Sequence, residues 1–146
     1  MAKKEIIAFD PPTEEEIMLI QPNNVTFGQY NVSEWQENLL TLIGDKIQKH
    51  MTREEELPRD LLNQPYVVIM CDEAGGKNNK NKVLKEAIDM LNKRFSFRWL
   101  HPKMKKEIET TGGSVITNIH NIKGTNQIMV NLNPWAIPFL IYYGVG

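Results

Sequence analysis

Trp35, Leu39, Leu42, Ile43, Ile47 and Met51 recur at intervals of three and four along an otherwise polar stretch. That spacing gathers them on one face of an α-helix. Ser33 and Gln36 stand at capping-box spacing where the pattern begins, so the first turn has its own stop against fraying. The pattern predicts a helix from Ser33 to about Met51, and its apolar face has to be covered by the rest of the chain. At 146 residues and 41% hydrophobic content there is material for one such core and not for two.

The segments available to cover it change period along the chain. Tyr66 to Cys71 is a β-branched, apolar run between a proline and Asp72-Glu73-Ala74-Gly75-Gly76, which predicts a buried strand. From Asn81 to about Arg94 a second helix is expected, with Val83, Leu84, Ala87, Ile88, Leu91 and then Phe95 on its apolar stripe. Phe95 to Leu100 alternates large apolar with polar or basic residues, as a half-buried strand does. A basic loop, Pro102 to Lys106, leads through Gly112-Gly113 to two β-rich runs, Ser114 to Lys123 and Gln127 to Leu132. The link between them, Gly124-Thr125-Asn126, has turn chemistry, so they are expected to pair as a hairpin. Asn133-Pro134 reads as the cap and first residue of a short apolar helix, Trp135 to Tyr143, which Pro138 leaves short or bent. Residues 1–31, rich in Pro, Glu and Asn around Ile17 to Ile20, are expected to form an arm laid on the body, residues 32–146. The chain stops at Gly144-Val145-Gly146 directly after an apolar helix, which suggests a fragment of a longer protein.

Helix, strand, basic helix, strand and hairpin is the order of an α+β fold, the winged helix-turn-helix, whose hairpin is the wing. Many small α+β domains share that order, so the charge has to discriminate. The net charge is −1, but residues 1–60 hold six basic and twelve acidic side chains while residues 77–106 hold ten basic and two acidic ones. The positive segment coincides with the helix and strand that a winged helix turns toward nucleic acid. Lys80, Lys82, Lys85, Lys93, Arg94 and Arg98, with Lys123 beside the wing tip, are therefore the candidate phosphate contacts. The plainer alternative is a solvated helix face, and part of the set is expected to be just that.

Other chemistry is poorly supported. His50, His101 and His120 are scattered without a Cys, Asp or Ser partner at a recognisable spacing, and Cys71 stands alone at the end of an apolar run. No metal, cofactor or catalytic role is expected. Gly75-Gly76-Lys77 fails as a phosphate loop, since Asn78 occupies the hydroxyl position and the first glycine is missing. Trp35, Trp99 and Trp135 sit on apolar stripes and are assigned to the core rather than to base stacking. Apolar runs reach about six residues, where a membrane span needs roughly 18. The first residues lack a secretory signal, so a cytoplasmic protein is expected.

Three segments carry a family resemblance. Asn24 with Tyr30-Asn31-Val32-Ser33 resembles the entry to the first helix of the Rep_3-type plasmid replication initiators. Lys82-Val83-Leu84-Lys85-Glu86-Ala87-Ile88-Asp89-Met90-Leu91 is similar to their third helix, and Asn131-Leu132-Asn133-Pro134-Trp135 with Ile137-Pro138-Phe139-Leu140 to the segment after their wing. The pattern spans roughly residues 20–146. It implies the first of two tandem winged helices, a module that dimerises and assists backbone contacts on double-stranded origin repeats while the second reads most of the sequence. Host replication proteins are further implied partners. One departure is that Asp72 to Asn79, with two glycines and two asparagines, leaves room for at most one turn of the second helix.

The hairpin from Ser114 to Leu132 has no cleanly polar face on strict alternation. It is expected to pair with a second copy, with Val115, Ile116, Ile119 and Ile122 at the dimer interface; the alternative is that the arm, Ile17 to Val25, caps the same edge. Other functional readings are a winged-helix transcription regulator and an interaction domain that binds no DNA.

Overall fold

The computed structural model describes residues 9, 11–13, 15–16, 25–27, 30–75 and 78–145. Ile17 to Ile20, the apolar part of the arm, lies outside them, as does Gly76-Lys77. The elements are β1 (Val25–Phe27), α1 (Glu34–Thr52), β2 (Tyr66–Met70), α2 (Cys71–Gly75), α3 (Lys80–Met90), β3 (Phe95–Leu100), β4 (Glu107–Gly112), β5 (Ile116–Ile122), β6 (Gln127–Leu132) and, after a 3-10 turn at Pro134–Ala136, α4 (Ile137–Val145).

Helix α1 follows the sequence pattern. Gln36 N–H donates to Ser33 Oγ at 3.2 Å and Ser33 N–H donates to Gln36 Oε1 at 3.0 Å, completing the capping box. Leu39, Leu40, Ile43 and Ile47 form the buried face, and α4 packs along it with Ile137, Phe139 and Leu140. The apolar stripe of α3 is narrower than expected. Val83, Ala87 and Met90 are buried, whereas Ile88 is 52% exposed, because at 100° per residue it falls on the side of the helix away from Val83.

Two antiparallel three-stranded sheets complete the fold, in the orders β1-β3-β4 and β2-β6-β5. The second is the winged-helix sheet, and its β5–β6 hairpin turns at Lys123–Asn126 with Gly124 at φ 79°, a left-handed conformation that glycine adopts without penalty. The first sheet corrects the sequence reading at one point. The basic loop after β3 does not lead toward the wing; it is a hairpin turn that returns the chain as β4, pairing Leu100 with Glu107 and Phe95 with Gly112. The strand β1 pairs with β3, Val25 opposite Trp99; the rest of the segment expected as an alternative cap for the 114–132 hairpin, residues 17–24, lies outside the described residues. Phe95, Phe97 and Trp99 point from β3 into the core, each 2% exposed.

The hairpin also departs from strict alternation. A bulge between Ile116 and Asn118 leaves Thr117 without a cross-strand partner, so Ile116 opposes Leu132 and Ile119 opposes Val130 on the same inner face. Val115 and Ile116 are 0% and 2% exposed. They are core residues of this chain and offer no surface to a second copy. Of the four residues expected at a dimer interface, Ile119 packs half-buried against the core, and only Ile122, opposite Gln127, sits on the outer face.

Candidate nucleic-acid interface

Helix α3 and the wing are fastened to each other by a lysine. Lys80 Nζ donates to the carbonyl oxygens of Ile122 at 2.9 Å and Thr125 at 2.5 Å. Thr125 Oγ1 in turn donates to Ile122 O at 2.7 Å and accepts from Gln127 N–H at 3.1 Å. Asn126 ties the wing turn to α2, donating its side-chain amide to Asp72 and accepting Cys71 N–H at its backbone carbonyl. The wing thus holds a fixed position beside the first turn of α3.

A second polar network joins α3 to α1 and is centred on Gln36, which is fully buried. Its Oε1 accepts from Lys93 Nζ at 2.7 Å, and its Nε2 donates to Asp89 Oδ2 at 2.7 Å and to Glu86 O at 3.2 Å. Lys93 Nζ also donates to Asn31 O at 2.9 Å. Ser33 Oγ donates to Glu86 Oε2 at 2.9 Å, and Lys82 pairs with Glu86 at 3.1 Å while lying 5.8 Å from the Trp35 ring centre. The Ser33 hydroxyl first, and the Lys82 ammonium after it, hold the Glu86 carboxyl below the usual carboxylate range against a smaller effect of burial.

These contacts divide the seven candidate cations. Lys80, Lys82 and Lys93 are committed within the protein, and Arg98 pairs with Glu107 at 3.7 Å across the β3–β4 hairpin. Lys85, Arg94 and Lys123 are exposed with no hydrogen bond or ion pair among the described residues. Lys85 lies on the outer face of α3, Arg94 just after its end and Lys123 on the wing. The structure therefore leaves Lys85 exposed on α3 and Lys123 exposed on the wing, and sets Arg98 apart on the other sheet.

Sequence reasoning missed three exposed side chains on α3 and the turn after it. Asn81, Ile88 and Asn92 are exposed, and with Lys85 they follow the spacing i, i+4, i+7 and i+11 along α3 and the turn after it. The signal is the complement of the apolar stripe, to which the sequence pattern assigns Ile88.

Among the described residues, the outer face of the β2-β6-β5 sheet is also left uncovered. Val68 and Met70 are each 37% exposed, Val68 stands opposite Met129, and Met129 stands opposite His120. Beside it the 60–64 loop carries Leu61 and Leu62 at 104% and 79% exposure. That loop is braced by Asp60 Oδ1, which accepts from Leu62 N–H and Gln64 N–H at 2.9 Å each. Asp60 Oδ2 accepts from Asn131 Nδ2 at 2.9 Å, and Asn131 Oδ1 is 2.7 Å from His120 Nε2, which must then carry the hydrogen. The Gln64 N–H, then Asn131 and Leu62 N–H, hold the Asp60 carboxyl below its ordinary range.

Among the described residues no group of three His, Cys, Asp or Glu side chains could hold a metal ion, and no helix is long and apolar enough to cross a membrane. His101 is buried as a structural residue, its Nδ1 accepting from Lys103 N–H and Met104 N–H at 3.1 Å each in the β3–β4 turn. Burial pushes the Cys71 thiol up, away from the nucleophilic thiolate.

The family described as "Initiator Replication protein, WH1" matches residues 18–144. The fold is similar to the X-ray crystal structure of the MSBI1.176 WH1 domain, a replication protein isolated from a multiple sclerosis patient. The TM-score is 0.51 at 12% identity over 79% of this chain and 85% of that one. At that identity the likeness speaks for the fold alone. No curated protein matches the chain in sequence.

Proposed function

The chain belongs to the initiator replication protein WH1 family, and from that premise we propose that it serves plasmid-type replication initiation as a cytoplasmic DNA-binding and self-associating module with no catalytic step of its own. Its DNA is double-stranded origin DNA, held mainly by phosphates. The observation that carries this reading is the fixed surface formed by α3 and the wing, pinned by Lys80 and bearing the unpaired cations Lys85 and Lys123, with Arg94 after the helix. Cations committed to carboxylates release few counterions on meeting DNA, so Lys82 and Lys93 contribute less than their charge suggests. Each free cation seated on a phosphate adds about 0.9 to the salt slope of log affinity.

The test is binding to a duplex across a range of salt. Replacing Lys85, Arg94 and Lys123 together with alanine should lower affinity for every sequence and flatten the salt slope by roughly 2 to 3. A variant with unchanged affinity and slope would remove the DNA-facing assignment.

Self-association is assigned to the outer face of the β2-β6-β5 sheet and to the free edge of β5, where Ile122 joins Val68, Met70 and Met129. A sheet face of this kind, with an open strand edge beside it, is stabilised by a second copy. Sedimentation of the purified chain should give a dimer, and Val68→Asp, a change at a partly exposed position, should give a folded monomer. A wild-type chain that stays monomeric at high concentration would exclude the dimer. The same fold would suit a transcription regulator, but the family match favours initiation.

A further inference from the structure

Resting on the DNA-binding reading, we propose that Lys80 is a positioning residue. It makes no phosphate contact of its own and strengthens the hold on DNA by fixing the wing turn that carries Lys123. The charge pattern groups Lys80 with the phosphate contacts, and the structure gives its ammonium a different task.

A lysine ammonium has three hydrogens to donate. Two of those on Lys80 go to Ile122 O at 2.9 Å and Thr125 O at 2.5 Å, so the first residue of α3 grips the wing turn on both sides of Lys123 and Gly124. Ile122 O is also where the turn closes on itself, accepting from Thr125 N–H at 3.3 Å and Thr125 Oγ1 at 2.7 Å. Hydrogen bonds from a charged donor are roughly twice as strong as neutral ones. To seat on a phosphate, Lys80 would have to give up both carbonyls, and the exchange gains little. Lys123, held between those carbonyls, is exposed and has no hydrogen bond or ion pair among the described residues.

Packing does not hold the tip of this turn. The ladder ends at Ile122 opposite Gln127, and a Cβ at Gly124 would meet nothing within 4 Å. From α2 the turn is held at Asn126 alone, through Asp72 and Cys71 N–H. Among the described residues the stretch from Ile122 to Thr125 is tied to the helices by Lys80. Without it the backbone at Lys123 is free to swing. DNA would then have to order that backbone on binding, and the cost appears as lost affinity.

Lys80→Met tests this, because it keeps an unbranched apolar stem and removes the donors, while the Asn126 bonds and the β5–β6 ladder remain to hold the fold. In the free chain, hydrogen exchange at the Thr125 and Gln127 amides, bonded to Ile122 O and Thr125 Oγ1, should quicken about 10-fold, with the Glu37 amide in α1 unchanged. On a duplex the variant should bind roughly 5- to 10-fold more weakly. Its salt slope should change by much less than the ~0.9 of a seated cation. In a Lys123→Ala background, where the wing has no cation left to place, Lys80→Met should cost less than about 2-fold more. A slope flattened by a whole contact, or losses that multiply in the double variant, would make Lys80 a phosphate contact and overturn its positioning role. Unchanged exchange in the wing would overturn it as well. A wild-type chain that binds no duplex would overturn the functional reading and this role with it, a failure told apart from the others because the exchange is read without DNA.

Discussion

Gly112→Ala should destabilise the protein by about 2–3 kcal/mol, the upper part of the roughly 1–3 kcal/mol range for forcing a methyl into a packed core, while Gly113→Ala, one residue on, should not. A Cβ at position 112 would lie 2.1 Å from Phe95 Cε1 and 2.6 Å from its Cζ, whereas one at position 113 meets nothing within 4 Å. The Phe95 ring has little room to retreat. It is 2% exposed, stacks on Phe97 at 6.0 Å between centroids and meets Phe139 at the same distance. Neither glycine has a positive φ, so the backbone imposes no separate penalty and the steric difference is isolated. At Gly113 the lost freedom of the unfolded chain should leave alanine neutral or stabilising by up to ~1 kcal/mol. Thermal unfolding of the two variants checks this, with the first melting roughly 5–10 °C below the wild type. Equal melting temperatures would show that β4 yields at Gly112 instead of holding its register.

Gln36→Leu keeps approximate volume but removes the amide that joins α1 to α3, and it should cost about 2–4 kcal/mol. Four hydrogen bonds end together: the capping-box bond from Ser33 N–H, the one from Lys93, and those to Asp89 and Glu86 O. The side chains of Lys93 and Asp89 reach water, at 28% and 59% exposure, so part of the loss is recovered there; Ser33 N–H and Glu86 O have less access. Denaturant unfolding measures the total. Gln36→Glu separates the terms, because a carboxylate still accepts from Ser33 and Lys93 but can no longer donate to Asp89. A cost below about 1 kcal/mol for the leucine variant would mean that water replaces the network.

The sequence made some of this readable for definite reasons. The stripe from Trp35 to Met51 and the Ser33–Gln36 pair are local signals, and α1 formed where they placed it. The Gly124-Thr125-Asn126 turn likewise located the β5–β6 hairpin. Strand β4 escaped because Glu107 to Gly112 is an edge strand with Ile108 as its one large apolar residue, so neither alternation nor an apolar run marked it. The bulge at Thr117 is a register fact, invisible until β6 is alongside, and it decided which isoleucines were available to a partner. Half of the charge question was legible: Lys82 with Glu86 and Asp89 with Lys93 are four apart on one helix, a spacing that pairs them. The role of Lys80 was not, since it depends on carbonyls more than forty positions away.

The strand orders also fix when each sheet can be finished during synthesis. The β3–β4 and β5–β6 hairpins close over short turns, Leu100 to Glu107 and Ile122 to Gln127. Their outer strands come from far upstream: Val25 waits for Trp99, and Tyr66 waits for Asn131. A chain leaving the ribosome N-terminus first therefore presents the apolar strand Tyr66–Met70 for the whole interval before residues 127–132 appear, a period in which an unpaired strand is open to association with other chains. The acidic segment just ahead of it, Glu54-Glu55-Glu56, is exposed in the finished fold and keeps a like charge beside that strand on every nascent copy, at the stage when mutual repulsion is most useful.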